Sequence, residues 1–244
     1  MPPHEQKTAT RRAVYDAIQH AGVGRFPGIR GRIPNFKGSE AAAERLVSLD
    51  VFQSARTIKS NPDSPQRAVR RAALEANKTV YVAVPKLAAE RPFLELDPSR
   101  IDPSDYWRAS SIKGADELGR PVAVDELPNI DLIVTGCVGV TRRGARLGKG
   151  GGYADLEYGL LRQAGRVTED TPIVTLVHDV QVLRAGAFEM MPHDTSLDVI
   201  ATPTRVIRCR RAYPRPPGIL WEALDDAKRD AIPVLKAQAP ALKG

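Results

Sequence analysis

From Arg142 to Leu161 the chain reads Arg-Arg-Gly-Ala-Arg-Leu-Gly-Lys-Gly-Gly-Gly-Tyr-Ala-Asp-Leu-Glu-Tyr-Gly-Leu-Leu. Gly148, Gly150, Gly151 and Gly152 fall within five positions, with Arg142, Arg143, Arg146 and Lys149 before or among them and Asp155 just after. Glycine lets the backbone approach a ligand without a Cβ in the way, and successive N–H groups in such a turn converge on an anion. A helix opening there adds the positive end of its dipole. Arg146 and Lys149 supply full charges, and Asp155 stands where it could hold a divalent cation beside a polyphosphate. The local chemistry is that of a phosphate site. The competing reading is a surface turn with basic residues for solubility.

Such a loop needs a strand to feed it and a helix to leave it. The run Ile130 to Val140 predicts one continuous apolar strand near a sheet centre. Leu156, Leu160 and Leu161 give the following helix its apolar face, ending near Gly165. Upstream, the spacing predicts a helix over 8–21, an irregular Pro/Gly segment from Gly24 to Gly38, and a helix from Ser39, its expected N-cap, to Leu49. A strand over 55–60, the turn Asn61-Pro-Asp-Ser-Pro-Gln-Arg67, a helix to Ala76 and a strand over 79–84 form a βαβ unit. Further strands are expected at 93–96, 121–124, 171–178, 199–201 and 205–209, with a helical turn over 102–108. The fold class is α/β: a three-layer α/β/α domain over 1–212 with one mostly parallel central sheet. A peripheral Pro-rich tail occupies 213–244, with a short helix around 221–228.

The chain of 244 residues can bury a sizeable core, and no apolar run nears the roughly 20 residues of a membrane span. Its N-terminus has no secretory pattern, and Cys137 and Cys209 have neither metal-ligand nor disulfide spacing, which points to the cytoplasm. Lys and Arg exceed Asp and Glu by 36 − 29 = 7, which favours anionic partners. The run Arg205, Arg208, Arg210, Arg211 and Arg215 leaves nucleic acid possible. Scarce aromatics and the lack of an RNA-binding signature do not favour it.

Two common phosphate motifs fail on spacing. A P-loop needs Ser or Thr after its Gly-Lys, and Gly150 follows Lys149; five positions before Gly148 stands Arg143 rather than Gly. Gly-x-Gly-x-x-Gly counted from Gly148 ends on Tyr153. A third pattern matches. Arg146-Leu-Gly-Lys-Gly-Gly-Gly-Tyr-Ala-Asp155 resembles the glycine-rich signature of the 5-formyltetrahydrofolate cyclo-ligases, also called methenyltetrahydrofolate synthetases. Lys7-x-x-x-Arg11, the apolar run before the loop, His193-Asp194 and Thr202-Pro203 extend the likeness. Arg32 to Gly38, Asn61 to Arg67, Gly148 to Tyr158 and His178 to Gln181 are similar to a divergent branch, the methenyltetrahydrofolate synthetase domain-containing proteins. The second Tyr of the signature is Ala154 here, which removes an aromatic surface.

The resemblance implies a fold like the sugar-isomerase and CoA-transferase group. It also implies an ATP- and Mg2+-dependent ligase that converts 5-formyltetrahydrofolate to 5,10-methenyltetrahydrofolate through a phosphorylated formyl group. By motif, Arg146, Lys149 and the backbone of Gly148, Gly150, Gly151 and Gly152 would hold the ATP phosphates. Lys7 and Arg11 would add nucleotide contacts, Asp155 would ligate magnesium, and Tyr153 would wall the pocket. A paralogue that binds nucleotide, folate or RNA without turnover is the alternative. His178-Asp179 and His193-Asp194 could form acid–base or metal groups, or simply end strands. Asp63 and Arg67 could touch substrate, or Asp63 could cap the helix at 65. Trp107, Trp221, Glu157 and Tyr158 are expected to serve packing.

Overall fold

A computed structural model describes residues 2–239. Among the described residues eleven strands form two sheets: β1 (Thr57–Ser60), β2 (Thr79–Ala83), β3 (Phe93–Leu96), β4 (Arg120–Val122), β5 (Leu132–Thr135), β6 (Gly139–Thr141), β7 (Arg146–Leu147), β8 (Ile173–Leu176), β9 (Val182–Leu183), β10 (Val199–Ala201) and β11 (Val206–Arg208). The large sheet runs β11-β10-β8-β5-β1-β2-β3-β4. Its five central strands, β10 to β2, are parallel, and antiparallel strands flank them on both sides. A second sheet, β7-β6-β9, stands apart.

The helices are α1 (Pro3–His20), α2 (Ser39–Val47), α3 (Asp50–Gln53), α4 (Arg67–Glu75), α5 (Tyr106–Ala109), α6 (Ile112–Leu118), α7 (Tyr153–Gln163), α8 (Asp226–Ala231) and α9 (Pro233–Gln238). Alternation along the strands builds a core on each face of the sheet. Ile58, Val80, Leu132 and Val134 pack against Ala42 and Leu46 of α2 and Val69 and Leu74 of α4. On the other face Tyr81, Ile133 and Ile173 meet Tyr158, Leu160 and Leu161 of α7. That is the expected three-layer architecture. Helix α1 lays Val14, Tyr15 and Ile18 on Val138, beside the small sheet.

The chain reverses direction across the sheet between β1 and β5. From β1 it steps to β2, and after β4 it returns to β5 on the other side of β1 and continues outward to β8 and β10. Crevices at the carboxyl ends of strands bind ligands at such switch points.

Four expectations change. The apolar run Ile130 to Val140 divides: β5 ends at Thr135, and β6 joins the other sheet. Gly136 marks the break; a Cβ there would lie 2.6 Å from Asp63 Oδ2 and would push that carboxylate aside. Gly38, with φ of 86°, precedes α2 as its cap in place of Ser39. The tail is not peripheral. Ile219, Ile232, Val234 and Leu235 enter the core with Tyr158 and Leu160, because α7 leaves that apolar face for them to cover. Arg215 anchors the tail: its buried guanidinium pairs with Asp198 and donates to the carbonyls of Glu169 and Thr171, each at 2.8 Å. The short helix expected over 221–228 is a 3-10 turn, Trp221–Ala223, followed by α8.

Candidate active site

Strand β7 and helix α7 hold the glycine loop between them. Gly150 and Gly152 have φ of 111° and 68°, conformations in which a side chain is strained. Gly152 caps α7 and no side chain accepts from its first turn. The free amides and the dipole of an eleven-residue helix therefore open beside the loop.

Arg146 leaves β7 almost fully buried, its side chain 3 % exposed. It pairs with Oδ1 of Asp155, which also accepts the Thr195 amide at 2.9 Å. Burial alone would raise the Asp155 carboxyl, but Arg146 and the Thr195 amide outweigh it and hold the pKa below the ordinary value. The bonds from Arg146 and from the Thr195 amide are both made to Asp155 Oδ1. A fixed, ionised carboxylate whose two protein bonds are made to Oδ1 suits magnesium, which needs only one or two carboxylates beside phosphates and water. No group of three or more His, Cys, Asp or Glu capable of holding a metal occurs among the described residues, so an all-protein cage is not what this site offers.

The loop divides two cavities, each of about 350 Å³. Arg146, Gly148, Gly152 and Asp155 belong to both and form the partition. The first cavity is lined with cations from α1: Lys7 and Arg11 meet Arg146 and Gly150 there, as their four-residue spacing predicted. Lys7 pairs with Asp194, which is itself oriented by the Met191 amide at 2.6 Å. Arg11 Nε donates to the Gly148 carbonyl at 2.7 Å.

The second cavity lies over the switch point. It takes Asn61 and Asp63 from the end of β1, Val84 and Lys86 from the end of β2, and Gly136 from the end of β5. Lys149, Gly151, Tyr153 and Ala154 of the loop face it, along with Arg32 and Ile33 of the irregular segment. Glu157 of α7 lines it and forms a buried ion pair with Lys59 of β1; Glu157 Oε2 also accepts from Asn61 Nδ2 at 2.8 Å. Asn61 Oδ1 in turn accepts the Gly136 amide at 3.1 Å. Beneath Asn61, buried Arg70 staples the turn by donating to the carbonyls of Asn61, Pro62 and Asp63. Burial pushes its pKa down to about 9. The Asp63 side chain does not cap the helix at 65. Its carboxyl lines the cavity without a hydrogen-bond partner among the described residues. Burial raises its pKa, and the charge of Lys149 opposes the shift.

The structure thus brings together Lys7, Arg11, Arg146, Gly148, Gly150, Gly152 and Asp155 on one side of the loop, and Lys149, Gly151 and Tyr153 on the other. Other candidates fall elsewhere. His178 caps a 3-10 turn through Nδ1, which accepts from Val180 N at 3.3 Å, so it ends a strand. Arg67 stacks on exposed Trp107, its Cζ 3.8 Å from the ring centroid. Arg205, Arg211 and Arg215 of the basic run pair with Asp179, Glu169 and Asp198, which breaks that run as a free patch. His193 does line the first cavity. Sequence reasoning missed Lys59 and underread Glu157. The signal for the pair was a lysine inside a short central strand, where a charge is buried only with a partner.

A family profile described as the 5-formyltetrahydrofolate cyclo-ligase family matches residues 8–203. The chain belongs to that family. The methenyltetrahydrofolate synthase domain-containing protein of Mus musculus is 40% identical over 232 residues, 94% of this chain and 62% of that protein. Its namesake from Homo sapiens is 36% identical over 233 residues, 95% of this chain and 61% of that protein. The chain therefore spans about three-fifths of the length of these relatives. A solved 5,10-methenyltetrahydrofolate synthetase from Aquifex aeolicus superposes with a TM-score of 0.53 at 20% identity, covering 84% of this chain and 94% of the other. That likeness shows a shared fold. No helix among the described residues is long and apolar enough to cross a membrane.

Proposed function

We propose that this chain catalyses the ATP- and magnesium-dependent closure of 5-formyltetrahydrofolate to 5,10-methenyltetrahydrofolate. The observation that carries the reading is the glycine loop standing as a partition between a cation-lined cavity and a second cavity at the switch point. A reaction in which phosphoryl passes from one substrate to another needs two sites that meet at one wall. The formyl oxygen takes the γ-phosphoryl group, N10 attacks the activated carbon, and phosphate leaves with that oxygen. An amide oxygen leaves poorly until it is phosphorylated, so the protein's task is positioning and charge neutralisation.

The chain's residues divide that work. Lys7, Arg11, Arg146 and the amides at the start of α7 neutralise and orient the polyphosphate. Lys149, exposed on the loop next to the partition, reaches toward the transferring group. Asp155 is kept ionised by Arg146 and offers Oδ2 to the metal. Magnesium bound there would neutralise charge on the phosphate oxygens as it develops. Tyr153 walls the second cavity, and Asp63 and Glu157 give it an acidic floor suited to the N–H groups of a reduced pterin.

The test is the ATP-dependent appearance of methenyltetrahydrofolate absorbance on adding 5-formyltetrahydrofolate and magnesium. The expected result is turnover that requires all three and is lost in Asp155→Asn. Absence of turnover from folded protein that binds both substrates would overturn the reading in favour of a binding protein.

A further inference from the structure

Residues 213–239 lie beyond the family match, yet they close one side of the glycine loop. Helix α8 places Lys228 beside it, where Nζ donates to the Gly151 carbonyl at 2.8 Å and lies 5.5 Å from the Tyr153 ring centroid. Between loop and tail is a cavity of about 150 Å³ that includes Lys228 and Leu224. Gly152, Asp155 and His193 line both this cavity and the cation-lined one, so the two spaces adjoin.

The pairing of charges across the site indicates what Lys228 is for. Lys7 has Asp194, Lys59 has Glu157, Arg146 has Asp155 and Arg215 has Asp198. Arg11, Lys149 and Lys228 make no ion pair among the described residues, and these three border Gly148 to Gly152. Arg11 and Lys228 instead donate to loop carbonyls, at Gly148 and Gly151, near the two ends of the loop. A neutral carbonyl compensates a cation less than a carboxylate does, so Arg11 and Lys228 bring positive charge to the loop with no ion-paired carboxylate among the described residues. An ammonium has three donors and can keep the Gly151 carbonyl while bonding a phosphate oxygen.

We propose that Lys228 of the C-terminal segment is a further cation of the polyphosphate site, binding a phosphate oxygen of the nucleotide on the glycine loop. The inference rests on reading that loop as the nucleotide site. It makes the tail part of the binding machinery rather than a cover for the core alone.

The experiment titrates magnesium-ATP and magnesium-tripolyphosphate into wild type, Lys228→Met and Lys228→Arg by calorimetry. Lys228→Met keeps the aliphatic stem on Tyr153. It is expected to raise Kd for both probes on the order of tenfold, the worth of one charge-assisted hydrogen bond, and to flatten the salt dependence. Lys228→Arg is expected to restore most of the affinity, and 5-formyltetrahydrofolate binding is expected to stay unchanged throughout. Should Lys228→Met unfold, Lys228→Gln removes the charge and keeps an N–H donor, one bond shorter, toward the Gly151 carbonyl. Wild-type affinity in the uncharged variants, with Arg11→Ala weakened, overturns this inference alone. Failure of wild type to bind either probe overturns it together with the nucleotide reading.

Discussion

The two cavities beside the glycine loop share a wall but are built on opposite electrostatic plans. The first collects cations from a helix face and a strand end, Lys7 and Arg11 of α1 and Arg146 of β7, with Asp194 and Asp155 as counter-charges to Lys7 and Arg146. The second is set into the carboxyl ends of β1, β2 and β5 and is lined by Glu157, paired with buried Lys59, and by Asp63, whose carboxyl has no hydrogen-bond partner among the described residues. That contrast explains how one loop can serve two ligands. Arg11, half-buried and without an ion pair among the described residues, attracts a polyanion at little cost when the cavity is empty, and the buried Lys7 and Arg146 are held ionised by Asp194 and Asp155. Buried, paired groups give a fixed shape and donor pattern, which suits a neutral heterocycle.

The largest effect is expected at the partition itself. Arg146→Met leaves Asp155 buried without its cation, which should cost about 3–5 kcal/mol of stability in a denaturant titration. It should weaken both ligands. The pKa of Asp155 is lowered in the folded state, so the stability contributed by its pairing is complete above the ordinary carboxylate value and lost as pH falls through the folded one. The gap between wild type and Arg146→Met should therefore be full at pH 7 and narrow in acid, as read from melting temperatures.

Next comes the ion pair beside the second cavity. Lys59→Met strands Glu157 with Asn61 as its remaining partner, an expected loss of about 3 kcal/mol. The double variant with Glu157→Leu should regain most of that, since an apolar pair of similar volume often replaces a buried ion pair at no loss. Both variants should impair folate binding and spare ATP, which calorimetry separates. If ATP binding falls equally, the two cavities are not independent.

Asp63→Asn should act in the other direction. Its pKa is raised, so the folded state favours the protonated form, and ionisation costs stability once pH passes the ordinary carboxylate value. The variant should melt higher than wild type at pH 7, and the gain should vanish below the ordinary carboxylate pKa, while the KM for folate rises. The smallest change is expected from Ala154→Tyr, which returns an aromatic face to the second cavity. About 0.5–1.5 kcal/mol of ring contact predicts a several-fold shift in folate KM with ATP KM unmoved. Steady-state kinetics with each substrate varied in turn would show it.

How much of this was legible in the chain follows from the range of each interaction. The loop was readable because glycine conformation and anion chemistry are local, and Lys7 with Arg11 because helical spacing fixes a shared face. Most strands were readable from apolar runs bounded by turns. The close approach at Gly136 was not, since Asp63 comes to it from the end of another strand. The ion pairs were not either: Lys7 and Asp194 are 187 positions apart, and Lys59 and Glu157 are 98 apart. No local pattern names such partners. The tail misled because prolines and short helical signals describe its own conformation and say nothing of the bare face of α7 that it covers.

A loop serving two cavities is tested by a ternary titration. 5-Formyltetrahydrofolate is titrated by calorimetry into the protein with and without a saturating non-hydrolysable ATP analogue and magnesium. Two separate sites predict that folate binds in both conditions, with one equivalent taken up and an affinity equal or higher when the nucleotide is present. Displacement of folate by the analogue, with apparent affinity falling in proportion to its concentration, would mean one shared site and would overturn the division of the two cavities between two ligands.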